Sequence, residues 1–339
     1  MRARGMLTLA VIVIVGGLAV VDGQGSRRFN PMVELLSQKK PVFGLYAPSN
    51  RRFGGGGPGA PGGAARPAMP ATPDAPAKTP AELAKDAVGN TGSDFIFDGS
   101  MEGDFDKALP PFAELMSGIG QAGLLIKTPS PHLAKAVVVK THEIAPDPMK
   151  AAANISKQLN LGVTGIMFVG VESANEVKAG LAAMRLKSKG GTRPDDVGGA
   201  PAFWGMSEKE YKDKADLWPL NPNGELVNWT IVESKEGLAH VREIAAVKGI
   251  GVLWPGAGTL RGVFSTVQPD GTRKLDEAAW EAAIQQVLSA CKEFNVACGF
   301  PATPNDIEIR MKQGFSVFVM NWGEPGNKAI EIGKKASGR

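Results

Sequence analysis

Four charged or titratable side chains follow predicted strands. Glu102 lies in the segment DGSMEGDFD, Lys140 and His142 end the run VVVKTH, and Glu233 ends TIVE. Residues two apart in a strand face the same side, so Lys140 and His142 are predicted to point in one direction. A lysine beside a ketone oxygen can stabilise an enolate, and a glutamate can supply oxygen ligands to a divalent cation. These residue types predict a site for a carbonyl compound that carries a carboxylate.

A glycine-rich turn follows another predicted strand. It contains Gly256, Ala257, Gly258 and Thr259. Backbone N–H groups in such a turn can hold a carboxylate, so these four residues are predicted to bind the substrate. Each candidate also has an ordinary structural explanation, because solvated Lys and Glu side chains and hydrogen-bonded structural His side chains are common on protein surfaces.

These residues depend for their positions on a regular alternation of strands and helices. Eight short apolar or β-branched runs are each followed by a stretch of helical character. The predicted strands are residues 42–46, 94–97, 136–140, 165–169, 229–233, 250–254, 296–300 and 316–320. The predicted helices are residues 81–88, 106–117, 148–159, 173–186, 235–247, 275–294, 305–313 and 327–335.

Eight strand–helix pairs with apolar strands favour an α/β fold, a parallel (β/α)8 or TIM barrel in one domain. A doubly wound open sheet is the alternative, although no G-x-G-x-x-G follows the first strand. In a barrel the chemistry lies at the carboxyl ends of the strands, where the candidate residues are found. A ninth strand-like run, residues 122–126, is either a helix end or a small hairpin.

The N-terminus has the pattern of a signal peptide over residues 1–23. Arg2 and Arg4 precede an apolar run over residues 6–21, and a polar turn follows. The alternative is an uncleaved membrane anchor formed by residues 6–21, although this run is shorter than the roughly 20 residues of a membrane span. We expect an exported protein, periplasmic or extracellular, with no stable span after processing and a mature domain over residues 24–339.

Three further features limit the possible functions. Residues 51–80 are too rich in Gly, Pro and Ala to pack a core and predict a flexible loop in the first strand–helix connection, either a mobile lid or an inert insertion. A net charge of +4, with basic residues scattered among acidic ones, argues against a nucleic-acid partner. Cys291 and Cys298 match no zinc or redox spacing. Export would allow their oxidation, but a helix face and a strand favour two buried, small apolar side chains.

Several segments resemble the HpcH/HpaI aldolase/citrate lyase family. The resemblance runs from about Asn30 to Lys335, interrupted by residues 51–80, and its most specific segment is TIVESKEGLAHVREIAAVKGIGVLW. Other similar segments are NPMVELLSQKKPVFGLY, DFIFDGSMEGDFD, VVVKT, LGVTGIMFVGVESANEV, GGTRPDD and WGMSEKEY. The resemblance implies a (β/α)8 barrel that assembles as a homotrimer or hexamer. It also implies a carbon–carbon lyase that acts on a 2-oxo acid or related small carboxylate.

In this family a Glu and an Asp hold a divalent metal, Mg²⁺ or Mn²⁺, and an Arg supports the enolate oxygen. The resemblance places the metal-binding Glu at Glu233. In an ungapped alignment the metal-binding Asp falls on Thr259, a weak neutral ligand. The Arg falls on Lys140, which keeps the charge but loses the bidentate fork.

The family also uses a His, helped by an Asp, to move protons. One alignment places Glu102 at the His and Gly99 at the Asp. The other places Met101 at the His and Asp98 at the Asp. Because neither gives a His, we consider Glu102 as a second carboxylate or a base, and His142 as the replacement proton carrier.

Three functions are compatible with these residues. The first is a carbon–carbon lyase with altered catalytic positions. The second is a non-catalytic exported protein that binds carboxylates in the same barrel. The third is a Schiff-base aldolase that uses Lys140, which requires a lysine that loses its proton readily.

Overall fold

The computed structural model describes residues 27–50 and 77–339. Within these residues eight parallel strands form a barrel, and each strand pairs with the next in the chain. The strands are β1 (Val42–Tyr46), β2 (Phe95–Asp98), β3 (Ala136–Lys140), β4 (Gly165–Phe168), β5 (Leu226–Val232), β6 (Ile250–Pro255), β7 (Ala297–Pro301) and β8 (Val317–Met320). Pairing of β8 with β1 closes the ring. The predicted barrel is therefore confirmed, and the open-sheet alternative is wrong.

Helices surround the barrel. They are α1 (Pro31–Ser37), α2 (Pro80–Gly89), α3 (Phe105–Gln121), α4 (Pro148–Asn160), α5 (Ala174–Met184), α6 (Ala200–Trp204), α7 (Glu208–Lys214), α8 (Lys235–Ala239), α9 (Val241–Ala245), α10 (Ala257–Val263), α11 (Glu277–Phe294), α12 (Ile307–Gln313) and α13 (Glu324–Ala336). None of the helices in the described ranges is long and apolar enough to cross a membrane.

Local sequence signals explain where several helices begin. Helix α4 begins at Pro148, as predicted, and Asp147 accepts a hydrogen bond of 3.0 Å from the Lys150 N–H. Helix α2 begins with a capping box between Thr79 and Glu82. Because α2 begins at Pro80, the last residue of the predicted loop 51–80 falls inside this helix. Residues 51–76 of that loop, and the predicted signal peptide 1–23, lie outside the described residues.

The barrel interior is a packed aromatic core. The rings of Trp229 and Trp254 stack with centroids 5.5 Å apart, and Phe97 stacks on Trp229 at 5.8 Å. Glycine is required at Gly299, because a Cβ there would lie 2.0 Å from the Trp254 ring. Residues of α1 belong to the same apolar cluster and cover one end of the interior. Ligand access is therefore left to the other end, the mouth at the carboxyl ends of the strands.

Several local predictions differ from the structure. The predicted helix 235–247 divides at His240 into α8 and α9. The run 122–126, by contrast, contains one strand of a small hairpin, Leu125–Ile126 paired with His132–Leu133, which confirms the second of its two predicted alternatives. A second antiparallel pair, Ser265–Val267 with Arg273–Leu275, follows α10 and was not predicted. The short strand Leu217–Trp218 beside β5 was also missed.

The two cysteines correct another expectation. Cys291 on α11 and Cys298 on β7 are buried, as predicted, but they form a disulfide bond, with Cα atoms 5.7 Å apart. The helix face and the strand pack against each other here, so the two thiols meet. The local sequence pattern predicts the helix that holds Cys291 and the strand that holds Cys298, but it does not predict the contact between them.

Candidate functional site

Neighbouring elements bring the predicted site residues to the mouth of the barrel. Lys140 is the last residue of β3, and Glu102 lies in a 3-10 turn, Ser100–Glu102, that follows β2. Glu233 comes directly after β5, and Thr259 lies in the first turn of α10 after β6. Because carboxyl ends of parallel strands meet at one edge, residues distant in sequence become neighbours.

Lys140 and Glu102 form an ion pair at this mouth. The Lys140 Nζ lies 2.7 Å from Glu102 Oε2, and the two side chains are 15% and 27% exposed. Burial lowers the pKa of Lys140, but the carboxylates of Glu102 and Glu233 and the Tyr46 phenol together raise this pKa above the usual lysine value. A lysine held in the ammonium form is unsuited to Schiff-base chemistry, which needs the free amine.

His142 contacts the same turn. Its Nδ1 lies 3.0 Å from the backbone carbonyl oxygen of Glu102. A carbonyl oxygen only accepts hydrogen bonds, so Nδ1 is the donor, and in the neutral ring Nε2 carries the lone pair. Lys140 and His142 thus both contact Glu102, although β3 ends at Lys140 and His142 lies two residues beyond the strand.

Glu233 is held by two donors from different elements. Its Oε1 accepts a hydrogen bond of 2.9 Å from the Gly170 N–H, and its Oε2 accepts one of 2.7 Å from the Thr259 hydroxyl. Glycine is required at Gly256, because a Cβ there would lie 2.3 Å from the Glu233 Cβ. The carboxylate is therefore fixed between the end of β4 and the start of α10.

The predicted substrate-binding turn has a different structure. Ala257, Gly258 and Thr259 form the first turn of α10, and Gly256 precedes this helix. The Gly256 N–H donates to the Val232 carbonyl oxygen at 2.8 Å, so the sheet already uses this donor. Gly256 and Ala257 are buried, whereas Gly258 and Thr259 are exposed. The Gly256 N–H is therefore not available to a carboxylate as predicted, and substrate binding by the rest of this turn stays a prediction.

Tyr46 is a mouth residue that sequence reasoning missed. It ends β1, and its ring lies edge-on to Phe97 with centroids 5.0 Å apart. Gly99 lies beside it, and a Cβ there would be in ordinary van der Waals contact, 3.6 Å from Lys140 Cδ and 3.7 Å from Tyr46 Cε1. Burial raises the pKa of Tyr46, which keeps the phenol protonated near neutral pH. Its position at the end of a predicted strand was the available signal.

The residues predicted to hold a metal ion do not form a suitable ligand set. Glu233 is hydrogen-bonded through both oxygens, Thr259 is a neutral ligand, and Glu102 pairs with the Lys140 ammonium. Among residues 27–50 and 77–339, no three His, Cys, Asp or Glu side chains lie close enough together to hold a metal ion. Mg²⁺ and Mn²⁺ prefer carboxylate oxygens in near-octahedral sites. One carboxylate, one hydroxyl and a nearby ammonium do not fit a resident divalent cation.

Comparisons with known proteins agree with this architecture. The sequence profile of the HpcH/HpaI aldolase/citrate lyase family matches residues 126–325 of this chain. A search of curated protein sequences finds no match. The family match covers β3 to β8 and the positions of Lys140, His142, Glu233 and Thr259. Glu102 lies before it.

Three solved structures with the same fold illustrate the likeness. An HpcH/HpaI aldolase/citrate lyase family protein from Burkholderia cenocepacia J2315 is 19% identical, with a TM-score of 0.60 over 91% of this chain and 97% of that protein. The citrate synthase SbnG is 15% identical, with a TM-score of 0.55 over 90% and 95%. Macrophomate synthase is 14% identical, with a TM-score of 0.54 over 91% and 88%. At these identities the likeness shows the fold.

Proposed function

This chain belongs to the HpcH/HpaI aldolase/citrate lyase family, and we propose that its barrel mouth binds a 2-oxo acid or related small carboxylate and cleaves or forms a carbon–carbon bond beside it. The observation that carries this proposal is the convergence of an ammonium, a carboxylate and an imidazole on one turn, through the contacts of Lys140 and His142 with Glu102. A cation for the substrate's oxygens and a proton carrier are the two groups that such chemistry needs.

Lys140 is the group proposed to hold the substrate. A substrate carboxylate or 2-oxo oxygen would take the place of the Glu102 carboxylate beside the ammonium, in a charge-assisted hydrogen bond. The ammonium charge is maintained at neutral pH because Glu102 and Glu233 favour it. As the carbon–carbon bond breaks, negative charge grows on the 2-oxo oxygen, and a fixed cation at that oxygen stabilises the enolate.

His142 is the group proposed to move the proton. The His142 Nε2 takes the proton of the substrate's 4-hydroxyl group. The bond between C3 and C4 then breaks, and the electron pair of that bond passes to C3 and the 2-oxo group to form an enolate. The carbonyl of the other product forms at C4, and protonation at C3 completes the 2-oxo acid. Glu102 holds the imidazole through its backbone carbonyl and can accept the proton instead once the substrate has displaced its carboxylate.

Pyruvate release from oxaloacetate and from 4-hydroxy-2-oxo acids tests this function. The assay uses the processed full-length protein in chelator, with Mg²⁺ or with Mn²⁺, beside Lys140→Met and His142→Gln. Lys209→Met is the matched control, because its side chain is 87% exposed and lies on α7. Release that both mouth variants lose and the control keeps supports a lyase. No release from folded protein under any of these conditions rejects it for these substrates.

A second candidate is a non-catalytic protein that binds carboxylates. The observation in its favour is that the charged groups at the mouth already have partners within the protein. Lys140 pairs with Glu102, and Glu233 accepts hydrogen bonds from Thr259 and Gly170. Calorimetric titration with pyruvate and oxaloacetate separates the candidates. Binding without turnover, lost in Lys140→Met, favours the binding protein.

We also propose that the protein is exported, as the N-terminal pattern of residues 1–23 predicts. The disulfide between Cys291 and Cys298 supports this, because structural disulfides persist in oxidising compartments and are rare in the cytosol. Fractionation of cells that express the full chain tests it: cleaved protein outside the cytoplasm is expected. Assembly as a homotrimer or hexamer stays a prediction from the resemblance, and light scattering of the processed protein tests it.

A further inference from the structure

Thr259 occupies the position at which the resemblance places a metal-binding aspartate. Its hydroxyl is hydrogen-bonded to the carboxylate of Glu233, the residue that would be the other metal ligand. The 2.7 Å hydrogen bond from its hydroxyl to Glu233 Oε2 links α10 to the end of β5. The Gly170 N–H holds Oε1 from the β4 side at 2.9 Å. The direction of the Glu233 carboxylate is thus set by two protein donors.

The Lys140 ammonium also provides a cation at the mouth without a metal ion. Thr259 contributes no negative charge, so Glu233 and Glu102 are the carboxylates that face the Lys140 ammonium. A divalent cation beside Glu233 would be repelled by this ammonium, and Thr259 would give it no second charged ligand. The cation that a substrate oxygen would meet is therefore already part of the protein.

We infer that the hydrogen bond between Glu233 and Thr259 replaces a metal centre, so that the mouth holds its carboxylate ligand through Lys140 with no resident divalent cation. The identity of the ligand rests on the proposed function, whereas the absence of a resident cation rests on the donor set. Glu233 then acts as a positioning residue. It holds the start of α10 through Thr259, and its negative charge favours the ammonium form of Lys140.

The first test measures Mn²⁺ binding directly, by the electron paramagnetic resonance signal of free Mn²⁺ in the presence of the processed protein. With ion and protein at equal concentration, wild-type protein and Thr259→Val are expected to leave the free Mn²⁺ signal unchanged. Thr259→Asp adds a second carboxylate beside Glu233 and is expected to bind one ion per chain at least tenfold more tightly than wild type. Adding Glu233→Gln to Thr259→Asp is expected to abolish that binding.

One tight Mn²⁺ per wild-type chain that disappears in Glu233→Gln would overturn the inference. A folded Thr259→Asp protein that binds no Mn²⁺ would overturn the role assigned to Thr259. If Thr259→Asp does not fold, the wild-type titration still decides whether a resident ion exists. None of these readouts depends on catalysis, so absence of pyruvate release would reject the lyase and leave this inference standing.

A second readout concerns ligand binding. Pyruvate affinity measured by calorimetry is expected to be equal in EDTA and in 1 mM Mg²⁺, and to fall at least tenfold in Lys140→Met. Affinity that needs Mg²⁺ and survives the loss of Lys140 would show that a metal ion, not the ammonium, holds the ligand.

Discussion

The ammonium of Lys140 lies 2.7 Å from the carboxylate of Glu102, although 38 positions separate them in the chain. Lys140 ends β3, and Glu102 follows β2, so adjacent strands bring the pair together. The ion pair gives the mouth a cation that one partner carboxylate holds. In the proposed function a substrate carboxylate takes the place of Glu102, so that no buried charge is left unpaired.

Removal of the Lys140 charge should weaken carboxylate binding. A hydrogen bond to a charged group contributes about 1.5–3 kcal/mol, so Lys140→Met is expected to lower pyruvate affinity about tenfold to a hundredfold. Lys140→Arg keeps the charge and should retain most of the affinity. Calorimetric titration measures both. Equal affinities of wild type and Lys140→Met would exclude Lys140 as the ligand's cation.

The fold could be predicted closely because its signals are local. Strands β1 and β3 have the predicted bounds, residues 42–46 and 136–140, since apolar runs between polar turns mark them clearly. Elements whose formation depends on distant partners were missed. The short strand Leu217–Trp218 forms only because it pairs with β5, and the helix predicted over 235–247 breaks at His240, whose Nδ1 contacts the Glu172 carbonyl oxygen.

The site could be predicted in part. The sequence pattern placed Lys140 and His142 near the carboxyl end of a strand, and Lys140 is the last residue of β3. The pairings did not follow from the sequence pattern, because they depend on how strands stack side by side. The contact of Thr259 with Glu233 joins residues 26 positions apart, and nothing in a glycine-rich segment distinguishes a helix start from an open turn.

Gly256→Ala should disturb the site more than a neighbouring substitution. The added Cβ would lie 2.3 Å from Glu233 Cβ and 2.8 Å from its Oε2, so we expect a loss of about 1–3 kcal/mol in the free energy of unfolding. Gly258→Ala is the matched control, because a Cβ there meets nothing within 4 Å and alanine favours the helix by about 0.5–1 kcal/mol. Urea unfolding of both variants checks this. Equal stability of the two would contradict the close packing at Gly256.

Lys135 should make stability depend on pH in a defined window. It is buried, and its Nζ donates to Ser93 Oγ at 2.6 Å and to the Asn90 carbonyl. Burial lowers the pKa of Lys135 to about 8, which Asp94 opposes and Lys334 assists. The unfolded chain holds this proton up to a pKa of about 10.4, so between these values it binds more protons than the folded protein. Stability should therefore rise with pH across this window.

The measurement for Lys135 is the difference in free energy of unfolding between wild type and Lys135→Met. From pH 7.5 to pH 9.5 wild type should gain about 2 kcal/mol relative to the variant, at about 1.4 kcal/mol per pKa unit. Other titrating groups cancel in the difference. Parallel curves for the two proteins would show that Lys135 titrates normally.

The disulfide between Cys291 and Cys298 should stabilise the protein although it closes a short loop. The two residues are seven positions apart, and the chain-entropy contribution for such a loop is about 2 kcal/mol. Reductant is therefore expected to lower the wild-type free energy of unfolding by about that amount. A Cys291→Ala, Cys298→Ala double variant should be insensitive to reductant, because it has no bond to lose. Thiol titration of the unreduced wild-type protein in denaturant gives the independent check: no free thiol is expected, and two would show that the bond had not formed.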